Sequence, residues 1–113
     1  MDEDNKRDME RVPVPSPLYG EVKVFHPMTI LDISKGGLQI ETPFGLQVNS
    51  LHEFRVGLGE RSIVVKGRIA HCHIGELTAE GAVFYRSGVE FIENTEHAQL
   101  AIVAFVDALK LSR

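Results

Sequence analysis

Apolar positions recur at every second residue between residues 19 and 91, and at every third or fourth residue after position 95. A period of two puts alternate side chains on opposite faces of a strand; a period near 3.6 gathers them on one stripe of a helix. Val22, Val24, Met28 and Ile30 keep the two-residue period around His26-Pro27, which predicts a strand interrupted by a bulge or bend. Leu38 and Ile40 alternate with Gln39 and Glu41. His52, Phe54, Val56 and Leu58 share one face and Glu53 and Arg55 the other, and Gly59-Glu60 then reads as a tight hairpin turn. Residues 62–74 predict a long strand with Ile63, Val65 and Ile69 on one side, residues 75–81 a loop, and residues 82–91 a last strand with a break near Arg86 to Gly88. The pattern therefore predicts five or six short strands, as in a small barrel or sandwich. Residues 95–111 predict a helix: Thr95 is the candidate N-cap, Glu96 suits the first turn, and Ile102, Phe105, Val106 and Leu109 form a stripe that Leu100 and Val103 widen. Lys110 and Arg113 suit the opposite end. The apolar face of this helix has only the barrel to bury itself against.

The first 18 residues differ. Residues 1–11 are charged and aperiodic, which predicts a flexible segment, and Pro13, Pro15 and Pro17 make the following stretch a stiff, extended connector rather than a helix. The expected division is therefore 1–18 as an N-terminal segment and 19–113 as one barrel domain with its helix. A chain of 113 residues, 43% hydrophobic and 25% charged, can close one modest core. No apolar run approaches the roughly 20 residues that a bilayer span needs, and residues 1–11 lack the apolar core of a signal peptide. With one cysteine, Cys72, an internal disulfide is impossible. These features predict a cytoplasmic protein without membrane insertion. The net charge of −4 opposes general DNA or RNA binding, which relies on a broad basic face, but it leaves room for a small anionic ligand held by one or two arginines.

Two segments carry candidate chemistry. Asp32-Ile33-Ser34-Lys35-Gly36-Gly37 lies between strand-like stretches. Asp and Ser side chains can bond the backbone two residues on, and the paired glycines can supply positive φ. Taken alone, it reads as a β-turn. The second segment is Arg7-Asp8-Met9-Glu10-Arg11, whose arginines four apart can grip phosphate or the Hoogsteen edge of guanine in bidentate fashion. Taken alone, that one reads as a solvated tail.

Together the segments resemble the PilZ family, whose signature is Arg-x-x-x-Arg followed about twenty residues later by Asp/Asn-x-Ser-x-x-Gly. Arg7 and Arg11 match the first half; Asp32, Ser34 and Gly37 match the second. Val65-Lys66-Gly67-Arg68-Ile69 is similar to the family's middle strand, and Tyr85-Arg86-Ser87-Gly88-Val89-Glu90-Phe91 to its Gly-x-x-Phe closing strand. The resemblance implies a mainly β fold, a six-stranded antiparallel β-barrel with a C-terminal α-helix packed on it. It also implies binding of cyclic di-GMP, a bacterial second messenger, with the signal passed to a protein partner. Arg7 and Arg11 would hold phosphates and guanine, Asp32 and Ser34 would bond guanine or ribose, and Gly37 would permit close approach. Lys6 stands where the family often has a further basic residue, and Arg68 and Arg86 are weaker candidates. The alternative reading is a PilZ-fold interaction module that has lost nucleotide binding. Asp8 and Glu10 lie inside the arginine spacing, where their charge opposes a phosphate unless both side chains turn away.

Other chemistry is thinly supported. His71-Cys72-His73 in a strand places two imidazoles on one face and the thiol on the other, too few ligands for a zinc site. No nucleophile–base–orienter set and no paired-carboxylate spacing is visible, so neither an enzyme nor a bound cofactor or metal is expected. Two tyrosines, no tryptophan and net negative charge argue against a single-stranded nucleic-acid binder.

Overall fold

The computed structural model describes residues 9–22 and 26–112, with the backbone alone for 16–22. Six antiparallel strands run in the order β1 (Val12–Val22), β2 (His26–Ser34), β3 (Gly37–Thr42), β4 (Leu51–Leu58), β5 (Arg61–Leu77) and β6 (Val83–Phe91), followed by helix α1 (Glu96–Leu111). They close a barrel in the spatial order β1-β2-β3-β6-β5-β4. Among the described residues, β1 meets β4 where Gly20, Glu21 and Val22 pair with Val56, Arg55 and Phe54.

Alternation builds the core. Ile30, Ile33, Leu38, Ile40, Phe54, Val56, Val65, Ile69 and Val89 point inward and are buried, while the intervening residues face out. Leu58 pairs with Arg61 across Gly59-Glu60, as the two-residue turn requires, and Gly59 takes the left-handed conformation at φ 67°.

Three boundaries differ from the sequence expectation. First, β1 starts at Val12, inside the proline stretch read as a connector. Val12 is 1% exposed and pairs with Ile33, so burial of this side chain fixes the strand's start. The β1–β2 register shifts between Pro13 and Leu18, which fits prolines that have no N–H to give the ladder. Second, the stretch around His26-Pro27 is two strands, not one bent strand: β1 ends at Val22 and β2 begins at His26, opposite it. Val24 lies outside the described residues. Third, β5 runs on to Leu77 and β6 is continuous from Val83. The irregularities lie on β5, with register shifts between Ile69 and His71 and between Ile74 and Glu76.

Helix α1 starts at the expected cap: Thr95 is extended, and its side-chain oxygen accepts from the Ala98 N–H at 3.1 Å. Ala98, Ala101, Ile102 and Val106 are buried in the barrel's core cluster, with Phe105 and Leu109 packed against it. Leu100 is not part of the stripe. It is 63% exposed, because the buried face is centred on the small residues Ala98 and Ala101, which let the helix approach the barrel.

Candidate functional site

The site begins with a hairpin. Ser34 pairs with Gly37 across the two-residue Lys35-Gly36 turn. The Ser34 hydroxyl, 1% exposed, accepts from the Gly36 N–H at 3.1 Å, and the Gly36 carbonyl accepts from the Phe91 N–H at 2.8 Å. The turn is thereby tied both to its own strand and to the end of β6. Neither Gly36 nor Gly37 adopts positive φ. Gly37 is required for another reason: it lies against β6, where a Cβ would overlap the Val89 carbonyl oxygen and come within 3.4 Å of the Arg11 guanidinium. At Gly36 a Cβ would meet the flexible Met9 side chain instead.

The β1–β2 register sets Val12 opposite Ile33 and Pro13 opposite Asp32, so the chain leading into β1 passes beside this turn. Arg11 follows from that placement. Its Nη1 lies 3.9 Å from Oδ1 of Asp32, an attraction beyond hydrogen-bond reach. Asp32 Oδ1 is buried and has no hydrogen-bond partner among the described residues. Burial raises the Asp32 pKa above its ordinary value, and the Arg11 charge pulls against that rise. The pair therefore combines a half-exposed cation with a carboxylate oxygen whose acceptor capacity is unused.

Glu10, within the arginine motif, turns away from this pair. Its carboxylate lies 3.5 Å from Lys110 Nζ on the last turn of α1. Lys35, on the turn, similarly meets Asp107 of the helix at 3.5 Å.

An open cavity of about 620 Å³ lies beside the turn. Met9, Arg11, Ser34, Lys35 and Gly36 form one wall, Ala70, His71 and the 88–92 stretch another, and Gln99, Ile102 and Val103 of the helix a third. Of the residues expected from sequence, Arg11 and Ser34 line it. Asp32 and Gly37 do not line it but touch it through Arg11. Arg68 and Arg86 are elsewhere, each committed to a carboxylate. Arg68 donates to Glu90 Oε1 from Nε at 3.1 Å and Nη2 at 2.6 Å, and to Asn49 Oδ1 at 2.6 Å. Arg86 Nε reaches Glu41 Oε2 at 3.5 Å. Both pairs sit directly across the sheet ladder, Arg68 opposite Glu90 and Arg86 opposite Glu41. Lys6, Arg7 and Asp8 lie outside the described residues. The sequence marked Gly88 through the Gly-x-x-Phe resemblance and His71 through the His71-Cys72-His73 run, but nothing in it placed these residues or Gln99 beside the turn, since only the cross-strand register and the helix docking bring them there.

The family model described as PilZ domain matches residues 5–108. No curated protein matches the chain. Among solved structures, the chain is similar to the PilZ domain of YcgR from Escherichia coli, in a structure with c-di-GMP, at 13% identity and a TM-score of 0.76, covering 95% of this chain and 93% of that one. It is similar to K. pneumonia MrkH in its c-di-GMP complex at 18% identity and a TM-score of 0.75, covering 92% of this chain and 52% of that one. It is also similar to the PilZ domain of CeSA from a cellulose synthesizing bacterium at 17% identity and a TM-score of 0.61, covering 89% and 98%. The chain thus spans about half the length of MrkH and nearly all of the two isolated domains. At these identities the likeness establishes the shared fold.

Proposed function

This chain belongs to the PilZ domain family, and on that premise we propose that it is a receptor for cyclic di-GMP that relays the signal to a protein partner. One observation carries the reading: Arg11 lines an open cavity with the Asp32 carboxylate 3.9 Å behind its guanidinium, beside a turn in which Gly37 leaves no side chain in the way.

The ligand has two phosphates and two flat purines. A guanidinium offers charge and forked donors to phosphate, and a flat surface on which a base can stack. A carboxylate is an acceptor for the N–H groups on the Watson–Crick edge of guanine. Ser34 holds the turn's shape through Gly36, so its part is to fix where Arg11 and Asp32 meet the ligand. The fork of Arg7, with Lys6 beside it, would complete the grip from the N-terminal segment. Glu10 does not oppose the phosphates, because its charge is answered by Lys110. Nothing in this role calls for a nucleophile, a metal or a cofactor, since no bond is made or broken. Any backbone freedom the ligand removes costs about 1–2 kcal/mol per residue, which its contacts with Arg11 and the residues before it must exceed. The bound ligand, with the residues that hold it, is then a new surface for a partner.

Titration calorimetry with cyclic di-GMP tests the proposal. Saturable binding is the expected result. Folded protein that gives no heat at high micromolar nucleotide would leave the barrel as an interaction module that acts without nucleotide.

A further inference from the structure

The sheet register lines up four positions that are distant in sequence. Asp32 on β2 pairs with Gln39 on β3, Gln39 with Gly88 on β6, and Gly88 with His71 on β5. Paired positions project to the same side of a sheet, so Asp32 and His71 stand at the two ends of one row across four strands. Three strand spacings separate them, on the order of 14 Å along the sheet. That is the scale of a dinucleotide rather than of a single base.

The middle of the row is low. Gly88 has no side chain, and the space a Cβ would need is taken by Nε2 of His71. The imidazole is thus seated on the Gly88 backbone. The register shift between Ile69 and His71 sets the ring's position along β5, and His73 stacks on it at a centroid distance of 5.7 Å and an interplanar angle of 24°. The ring is exposed, lines the same cavity as Arg11 and Ser34, and makes no hydrogen bond or ion pair among the described residues. By contrast, the cavity-wall residue Glu90 is held by Arg68, and Gln99 donates to the Asn94 carbonyl. A buttressed aromatic ring with its polar atoms uncommitted, opposite an arginine–carboxylate pair, is suited to take a purine.

We propose that His71 is a second base-binding residue of the site, receiving the guanine that Arg11 and Asp32 do not hold, with Gly88 as the seat that positions its ring. The inference rests on the cyclic di-GMP reading of the same cavity and adds to it the residue that contacts the far base. A ligand with only one guanine, such as GMP, gains nothing from His71.

Calorimetry on the full chain separates the two levels. If the wild-type protein does not bind cyclic di-GMP, the receptor reading falls and this inference with it. If it does bind, His71→Ala should weaken affinity about tenfold, and His71→Phe, which keeps a flat ring, should stay within about twofold. Both should keep the wild-type melting temperature, because the ring is exposed. Gly88→Ala should displace the ring and weaken binding like His71→Ala, and the double variant should be no weaker than His71→Ala alone. The chain has no tryptophan, so His71→Trp adds a direct reporter: its fluorescence should change saturably with cyclic di-GMP. Wild-type affinity in His71→Ala, or a His71→Trp signal that stays flat while calorimetry shows the nucleotide bound, would overturn the proposal.

Discussion

Arg11 holds its guanidinium 3.9 Å from the carboxylate of Asp32, although the two are far apart in the chain and Arg11 belongs to no strand. The contact exists because Val12, the next residue, is drawn into the core opposite Ile33. A hydrophobic anchor therefore positions the charged group that we assign to the ligand.

Removing the Asp32 carboxylate should remove a charged acceptor for guanine. We expect Asp32→Asn to weaken cyclic di-GMP about thirtyfold, the scale of a lost charge-assisted hydrogen bond. Affinity in the wild type should also fall on acidification through the Asp32 pKa, which burial holds above its ordinary 3.8. Stability moves the other way. A carboxyl that protonates more readily folded than unfolded takes up protons on folding, so its effect on unfolding free energy becomes less favourable as pH rises from 3.8 through the raised value. Asp32→Asn should therefore gain more stability relative to wild type at about pH 7 than at about pH 3. Denaturant unfolding of both proteins at the two pH values reads this directly.

Arg11 is needed for its forked geometry as well as its charge. Arg11→Ala should cost about 2–3 kcal/mol of nucleotide binding, and Arg11→Lys should recover less than half of that. The salt dependence of the wild-type affinity should flatten in Arg11→Ala and persist in Arg11→Lys. Calorimetry at low and high salt distinguishes these outcomes.

The adjacent glycines should respond differently to the same change. Gly37→Ala forces a Cβ against the Val89 carbonyl of a neighbouring strand, so we expect about 1–3 kcal/mol of destabilisation. Gly36→Ala meets only the end of the Met9 side chain, which can swing aside, so its stability should change by less than about 1 kcal/mol. Thermal unfolding of the two variants checks the contrast.

Much of this was legible from local pattern. The alternation of Leu38 and Ile40 with Gln39 and Glu41, and the Thr95 cap, each stated their element within a few residues, because propensity and burial agree there. The start of β1 was hidden: three prolines removed the usual strand signal, and the burial of Val12 that overrides them depends on β2. The turn at Asp32 to Gly37 was visible as a turn, but the reason for Gly37 was not. Positive φ is a local cause and is absent; the approach of β6 is a non-local one and is present. The same limit applies to the charges. Arg68 and Arg86 looked available in the sequence, yet each faces a carboxylate across the ladder, a pairing that only the register sets. His71 looked like an ordinary solvent-facing residue for the same reason.

Glu10 shows how a charge that opposes the ligand can be neutralised at a distance. Lys110→Ala should remove this compensating charge and lower nucleotide affinity about two- to threefold at low salt, with the difference vanishing at high salt. The melting temperature should change little, since a partly exposed ion pair contributes about 0–1 kcal/mol. Lys110 does not line the cavity, so a loss of affinity in this variant reports the Glu10 charge and not a missing ligand contact.

The most direct test of the account is the backbone amide spectrum of the full chain titrated with cyclic di-GMP. We expect saturable shifts centred on Arg11, Asp32, Ser34, Gly36 and Gly37, extending along the sheet to Gly88 and His71, with Thr78 and Gly81 in the β5–β6 loop, which do not line the cavity, unmoved. An unchanged spectrum at high micromolar nucleotide, or shifts confined to residues away from the Ser34–Gly37 turn, would contradict the assignment of this site.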